Sequence, residues 1–263
     1  MEQTILPGSR TALHQKQGGF SVNLLKLIAI IAMFGDHFAH ILMTPYTPAY
    51  VILRFFGRIT APIMFYFVAE GYRKTSNVNR YTLRLGIFAA ISYVPFIYGI
   101  YGSLPNESNF FRMDVIYTLF LGLLAIRARH EMKSPALRWI IIGGLFCLSI
   151  TSDWSYMALI YILIFDYYYG DFKKQALAYC LVALVYILPG LLLPVYAAIN
   201  NTQFSEPEFL RNVYRLGLFI PIILLSRYNG KLGKGGKAAK WSFYIFYPAH
   251  LLLLGWLSTF WSI

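Results

Sequence analysis

Nine apolar runs separated by short polar clusters take up most of this 263-residue chain. They lie at approximately 23–44, 50–72, 82–101, 113–128, 137–152, 154–169, 175–198, 209–226 and 241–261. A membrane-crossing helix needs about 20 predominantly apolar residues, with roughly 17–25 tolerated. The pattern therefore predicts an all-α, polytopic integral membrane protein of about nine transmembrane helices. The fourth, fifth and sixth runs are short and read as untilted spans or partly re-entrant segments, so the count carries a margin of one or two. Charged residues make up only 13% of the chain, against about 25% in soluble domains. A chain so poor in charge cannot coat its own surface, which excludes a soluble fold.

The net charge is +12, but its placement argues against nucleic-acid binding. Basic residues fall in alternate connections: Arg10 and Lys16; Arg73, Lys74, Arg80 and Arg84; Arg127, Arg129, Lys133 and Arg138; Lys173 and Lys174; Arg227, Lys231, Lys234, Lys237 and Lys240. The intervening connections hold only Arg112, Arg211 and Arg215. An asymmetry of seventeen to three predicts a cytoplasmic N-terminus and, after nine spans, an external C-terminus. Residues 1–22 form a polar cytoplasmic tail without the apolar core of a cleaved signal peptide, and 23–263 form one transmembrane helical domain. The expected location is the bacterial cytoplasmic membrane. Cys147 and Cys180 lie inside apolar runs, which argues against a disulfide framework or a metal site.

Ionisable groups inside spans are costly and usually face the bundle interior. In the first run Asp36 and His40 share a helix face, and His37 and His40 are also neighbours. A carboxylate beside an imidazole suits a general base; the plainer alternative is a polar pair joining helices. Arg54 and Arg58 share a face of the second run. Two guanidiniums there suit carboxylate or phosphate recognition, although Arg54 has the option of snorkelling to the surface and Arg58 that of pairing with Asp36. Glu70 reads equally as a structural partner of a basic loop residue and as a site residue. Depth along the runs gathers Asp36, His37, His40, Arg54, Arg58, Asp114 and Asp153 toward the outer half, with His250 near the middle of the last run. The stretch Ser226-Arg227-Tyr228-Asn229-Gly230-Lys231 offers backbone and cations to phosphates but lacks the Walker pattern, so a plain basic loop is the competing reading. No repeated halves and no paired broken helices are legible, which counts against a transporter.

These residues carry a resemblance. The stretches LKLIAIIAMFGDH, LRFFGRITAPIMFYFVAEGY, YTLRLGIFAAISYVPF, YTLFLGLL, SDWSYMALIYIL, RYNGKLG and KWSFYIFYPAHLLLL occur in order across nearly the whole chain. The sequence resembles the TraX family, polytopic proteins named after the conjugative-plasmid enzyme that acetylates the N-terminus of F-pilin. It departs from the family at Asp153-Trp154-Ser155, where Asp-Tyr-Gly is more usual. A fainter similarity to membrane O-acyltransferases of surface polysaccharides rests on the spacing of Lys26 and His37. The resemblance implies an acyltransferase that takes acetyl from cytoplasmic acetyl-CoA, with no metal. His37 would be the general base, oriented by Asp36 or His40, and Arg58, with Arg54, would stabilise charge on the acyl oxygen. Lys26, Arg54, Tyr228, Asn229 and Lys231 would meet the donor; Asp114, Asp153 and His250 would meet the acceptor. That acceptor would be an amine or hydroxyl of an extracytoplasmic protein or glycan, with membrane lipid around the enzyme and no nucleic-acid partner. The alternatives are a proton-coupled transporter and a non-catalytic assembly factor for surface appendages.

Single cysteines introduced at Lys133 and Lys234 are expected to react with impermeant reagents only from the cytoplasm, and those at Glu107 and Glu206 only from outside. External labelling at Lys234 would reverse the orientation.

Overall fold

The computed structural model describes residues 18–261, apart from the side chains of 237–240; Arg10 and Lys16 lie outside the described residues. The described chain is all helical: α1 (Val22–Leu42), α2 (Pro48–Gly57), α3 (Thr60–Lys74), α4 (Val78–Tyr101), α5 (Val115–Glu131), α6 (Pro135–Ser149), α7 (Ser155–Tyr167), α8 (Phe172–Leu191), α9 (Leu193–Asn200), α10 (Glu206–Arg215), a 3-10 turn (Leu216–Phe219), α11 (Ile220–Ser226) and α12 (Gly236–Trp261). Six segments are long and apolar enough to cross a membrane: Val22–Leu42, Pro48–Lys74, Val78–Tyr101, Phe172–Asn200, Glu206–Ser226 and Trp241–Trp261. Ile31, Ile140, Val185, Ile199 and Ile245 are each more than half exposed. Side chains of that kind on nearly every long segment require a lipid solvent, and the protein is a polytopic helical membrane protein.

α5, α6 and α7 have 17, 15 and 13 residues, the last two spanning only about 22 and 20 Å at a rise of 1.5 Å per residue. They nevertheless run between the same two ends of the bundle. At one end Asp166, near the end of α7, accepts from Arg73 of α3 at 3.0 Å, contacts His130 of α5 at 2.8 Å and pairs with Arg129. At the other end Met113, before α5, pairs with the α6–α7 connection through Met113 N–H to Thr151 O and Asp153 N–H to Met113 O, each 3.0 Å. Among the described residues the chain passes nine times between these ends. α5 is packed against α3, α4, α6 and α7, so protein rather than lipid covers most of it and its length need not match a bilayer.

Three passes are interrupted, against the sequence expectation of unbroken spans. α2 gives way to α3 at Arg58–Ile59, α8 to α9 at Leu192, and α10 to α11 through the 3-10 turn. Pro62, Pro194 and Pro221 lie just inside the following helices. Proline has no N–H, and its ring crowds the carbonyl four residues back, here Arg58, Gly190 and Gly217. Two of the breaks pack on each other: a Cβ on Gly217 would overlap the Phe55 carbonyl and crowd Arg58. Paired broken helices are thus present.

At the basic end, the first turn of α1 is closed by the loop before α12. Val22 and Asn23 donate backbone N–H groups to the carbonyls of Lys231 and Leu232 at 2.9 and 3.1 Å, and Phe20 N–H donates to Arg227 O at 2.8 Å. Ser21 caps the same turn by accepting from Leu24 N–H. The orphan donors of a helix start therefore consume the carbonyls of the loop.

The side chain of Asp166 is fully buried, while Arg73 and Arg129 are about one-third exposed or less. Asp166→Ala is expected to destabilise by about 3 kcal/mol, the low end for breaking a buried ion pair because both arginines keep some water. Thermal unfolding of purified protein measures this; an unchanged melting temperature would remove Asp166 as the clamp of α3, α5 and α7.

Candidate functional site

Asp36 lies on the buried face of α1. Arg54 Nη1 donates to its Oδ2 at 2.7 Å and Arg58 Nη2 to its Oδ1 at 2.8 Å, so each carboxylate oxygen serves one guanidinium. All three side chains are at most 16% exposed. Charge-assisted bonds in such surroundings are stronger than neutral ones, and here they offset the cost of desolvating three ions. Arg58 Nε also donates to Arg54 O at 3.3 Å, and the Thr60 hydroxyl donates to Ala29 O at 2.8 Å, tying the α2–α3 break to α1. Gly57 makes the approach possible, because an added Cβ would overlap the Asp36 carboxyl. Aromatic rings flank the guanidiniums: Arg54 lies over Tyr50 and Tyr214, and Arg58 over Trp154 and Tyr214.

His37 is held from the other side of the bundle. Its Nδ1 is 2.7 Å from His250 Nε2, and His250 Nδ1 is 2.8 Å from Phe246 O. A carbonyl only accepts, so His250 Nδ1 carries a proton. In neutral His250 the Nε2 is then a lone pair, and His37 Nδ1 must donate to it. This assignment, made from the acceptors, leaves His37 Nε2 as a lone pair with no hydrogen-bond partner among the described residues. The expected orienting partners are therefore corrected: Asp36 is taken up by two arginines, His40 makes no hydrogen bond among the described residues, and His250 positions His37 rather than meeting an acceptor.

Two adjoining cavities open here. The inner one, about 140 Å³, is lined by Asp36, His37, His40, Arg54, Arg58, Thr60, Asp153 and Trp154 among others. The outer one, about 420 Å³, shares His40, Arg54, Arg58, Asp153 and Trp154 and adds Arg211, Arg215, Tyr161 and Tyr214. Asp153 is exposed and forms no ion pair among the described residues.

The other expected site residues lie elsewhere. Asp114 is the N-cap of α5, accepting from Tyr117 N–H at 2.7 Å, and lines neither cavity. Its carboxylate serves a helix start. Tyr228 donates its hydroxyl to Glu70, which also pairs with Lys74 at 2.7 Å. Asn229 bonds Gly19 O and the Lys231 N–H. Both side chains thus have partners within the protein, and Glu70 is the partner of Tyr228 and Lys74. Lys231 is exposed at the basic end, the opposite end from Arg54, so these two do not share a site. Lys26 lies over Phe67 and lines a cavity of about 30 Å³ between α1, α3, α4, α5 and α12, in the half of the bundle between Lys231 and Asp36. Sequence reading missed Tyr214 and the roles of Trp154, Arg211 and Arg215; Trp154 stood in a quoted motif, but Tyr214 carried no signal.

Fold and site together define a class: a polytopic helical membrane protein with a histidine pair and an Asp–Arg–Arg cluster around cavities toward one end of the bundle. A sequence model of the TraX protein matches residues 21–258, and the chain belongs to the TraX family. It is 34% identical over 242 residues, 89% of this chain and 94% of the other, to the "Probable fimbrial assembly protein FimC, serogroup H1" of Dichelobacter nodosus. No solved structure matches.

Gly57→Ala is expected to lower stability by about 1–3 kcal/mol, the usual cost of an inserted methyl in a close contact, through loss of the Asp36 geometry. A thermal melt indistinguishable from that of the parent would contradict the close approach of α2 to Asp36.

Proposed function

We propose that this protein is a pilus-related, membrane-embedded acyltransferase of the bacterial cytoplasmic membrane that moves acetyl from cytoplasmic acetyl-CoA to an amine or hydroxyl on an extracytoplasmic protein or glycan. The observation that carries the reading is the lone pair on His37 Nε2, fixed by His250 beside a polar cavity. Membership of the TraX family supports it. The acceptor's nitrogen or oxygen attacks the thioester carbonyl carbon and the C–S bond breaks. The acceptor's proton passes to His37 Nε2 and then to the departing thiolate. Arg58, with one Nη free of Asp36, faces the region where negative charge develops on the acyl oxygen. The basic end is cytoplasmic in this reading. Exposed Lys231 and Lys234 meet donor phosphates there, with Lys26 further in, and His37 lies about 16 Å beyond Lys26 along α1.

Two other readings have one observation each. The mutually packed breaks at Arg58 and Gly217 suit a proton-coupled transporter. The relative's name speaks of fimbrial assembly, which suits a non-catalytic factor.

Incubating purified protein with radiolabelled acetyl-CoA and candidate acceptors separates the three. His37→Ala is expected to reduce transfer by about 10²–10⁴-fold while donor binding persists. His40→Ala is expected to have a smaller effect on rate. Unchanged turnover in the His37→Ala, His40→Ala double variant would rule out this mechanism.

A further inference from the structure

The outer cavity gathers four arginines, Arg54, Arg58, Arg211 and Arg215, against one carboxylate, Asp153; Asp36 lines only the inner cavity. Both oxygens of Asp36 are already used. Among the described residues Arg211 and Arg215 have only neutral acceptors, the Tyr46 hydroxyl at 3.4 Å and Asn212 Oδ1 at 3.1 Å. Two of the lining residues also hold buried donors with no partner among the described residues: Arg54 Nε and the Tyr161 hydroxyl. A buried donor without an acceptor costs about 1–3 kcal/mol, so a site that leaves two of them, beside an excess of guanidinium, is built for an acceptor-rich guest. The placement of charge points the same way. Beyond Arg54 and Arg58, the basic residues toward this end of the bundle are Arg112 and, in α10, Arg211 and Arg215, and two of these three line this one cavity.

We infer that the outer cavity binds the anionic part, a carboxylate or phosphate, of the molecule that is acylated. Arg211 and Arg215 take the anion from the α10 side, and Arg54 Nε and the Tyr161 hydroxyl complete its coordination. The cavity of about 420 Å³ falls in the range of small-ligand pockets and holds a group of amino-acid or sugar size. Its shared wall with the inner cavity, at His40, Arg58 and Trp154, directs the remainder of the guest toward His37. Guanidinium forks recognise planar carboxylate and phosphate oxygens by paired hydrogen bonds, which selects acidic acceptors over neutral ones. The inference rests on the transfer reading only in calling the guest the acceptor.

The test is anion binding by the full chain with no donor present, so its outcome is independent of whether transfer occurs. The protein is melted in uncharged detergent with inorganic phosphate, with succinate, and with sodium chloride at matched ionic strength. It is melted in parallel in nanodiscs of phosphatidylcholine with and without phosphatidylglycerol. Phosphate or succinate is expected to raise the melting temperature by about 2–4 °C over chloride, and a rise confined to phosphatidylglycerol discs would identify the anion as a lipid headgroup. The rise is expected to disappear in Arg211→Gln, Arg215→Gln. It is expected to shrink in Tyr161→Phe, which keeps the ring and removes only the hydroxyl. No rise with any of these anions, or a full rise in both variants, would overturn the inference.

Discussion

Three charges in the interior of a membrane protein are each expensive alone, at about 2.5–3.5 kcal/mol for an ionised side chain at the centre of a span. Asp36, Arg54 and Arg58 meet in a single cluster, and much of the surrounding architecture follows from that requirement. α2 must fold back along α1 closely enough for two guanidiniums to reach one carboxylate. That approach demands a residue without a side chain at position 57. The helix must then be interrupted so that Arg58 turns inward while Pro62 leads a new segment away. The 3-10 turn at Leu216–Phe219 fits the same notch, because Gly217 rests on the Phe55 carbonyl. One ion cluster thus fixes the relation of α1, α2, α3 and α10.

The division of labour inside the site follows from hydrogen-bond arithmetic. Both oxygens of Asp36 accept from arginines and His37 instead bonds His250, whose own proton is fixed by the Phe246 carbonyl. A neutral orienting group holds the ring without adding a fixed negative charge beside the lone pair. Arg58 keeps one Nη free of Asp36 on the cavity wall.

The arrangement of passes, and the coming together of Asp36 with Arg58, were legible in the sequence for the same reason. A charge within an apolar run has few possible partners, so those few must find one another. The interruption at Arg58 was written in Gly57 and Pro62 but hidden by a hydropathy average that reads straight across a kink. His250 as the partner of His37 was not legible, because the two lie 213 residues apart and neither run betrays which face it turns to the other. Asp166 was overlooked because its partners Arg73, Arg129 and His130 stand in clusters that serve equally well as orientation signals. Asp114 misled because a carboxylate at the mouth of a run looks the same whether it caps a helix or faces a cavity.

The mutual grip of the chain's two ends bears on how the protein is made. The first turn of α1 leans on carbonyls of Lys231 and Leu232, and His37 on a ring of α12. During synthesis α1 precedes α12, so its first-turn contacts with Lys231 and Leu232 and the bond from His37 to His250 form only after α12 has been made. Chains cut short before α12 lack the group that sets the His37 tautomer. The geometry around His37 therefore matures only once α12 is in place.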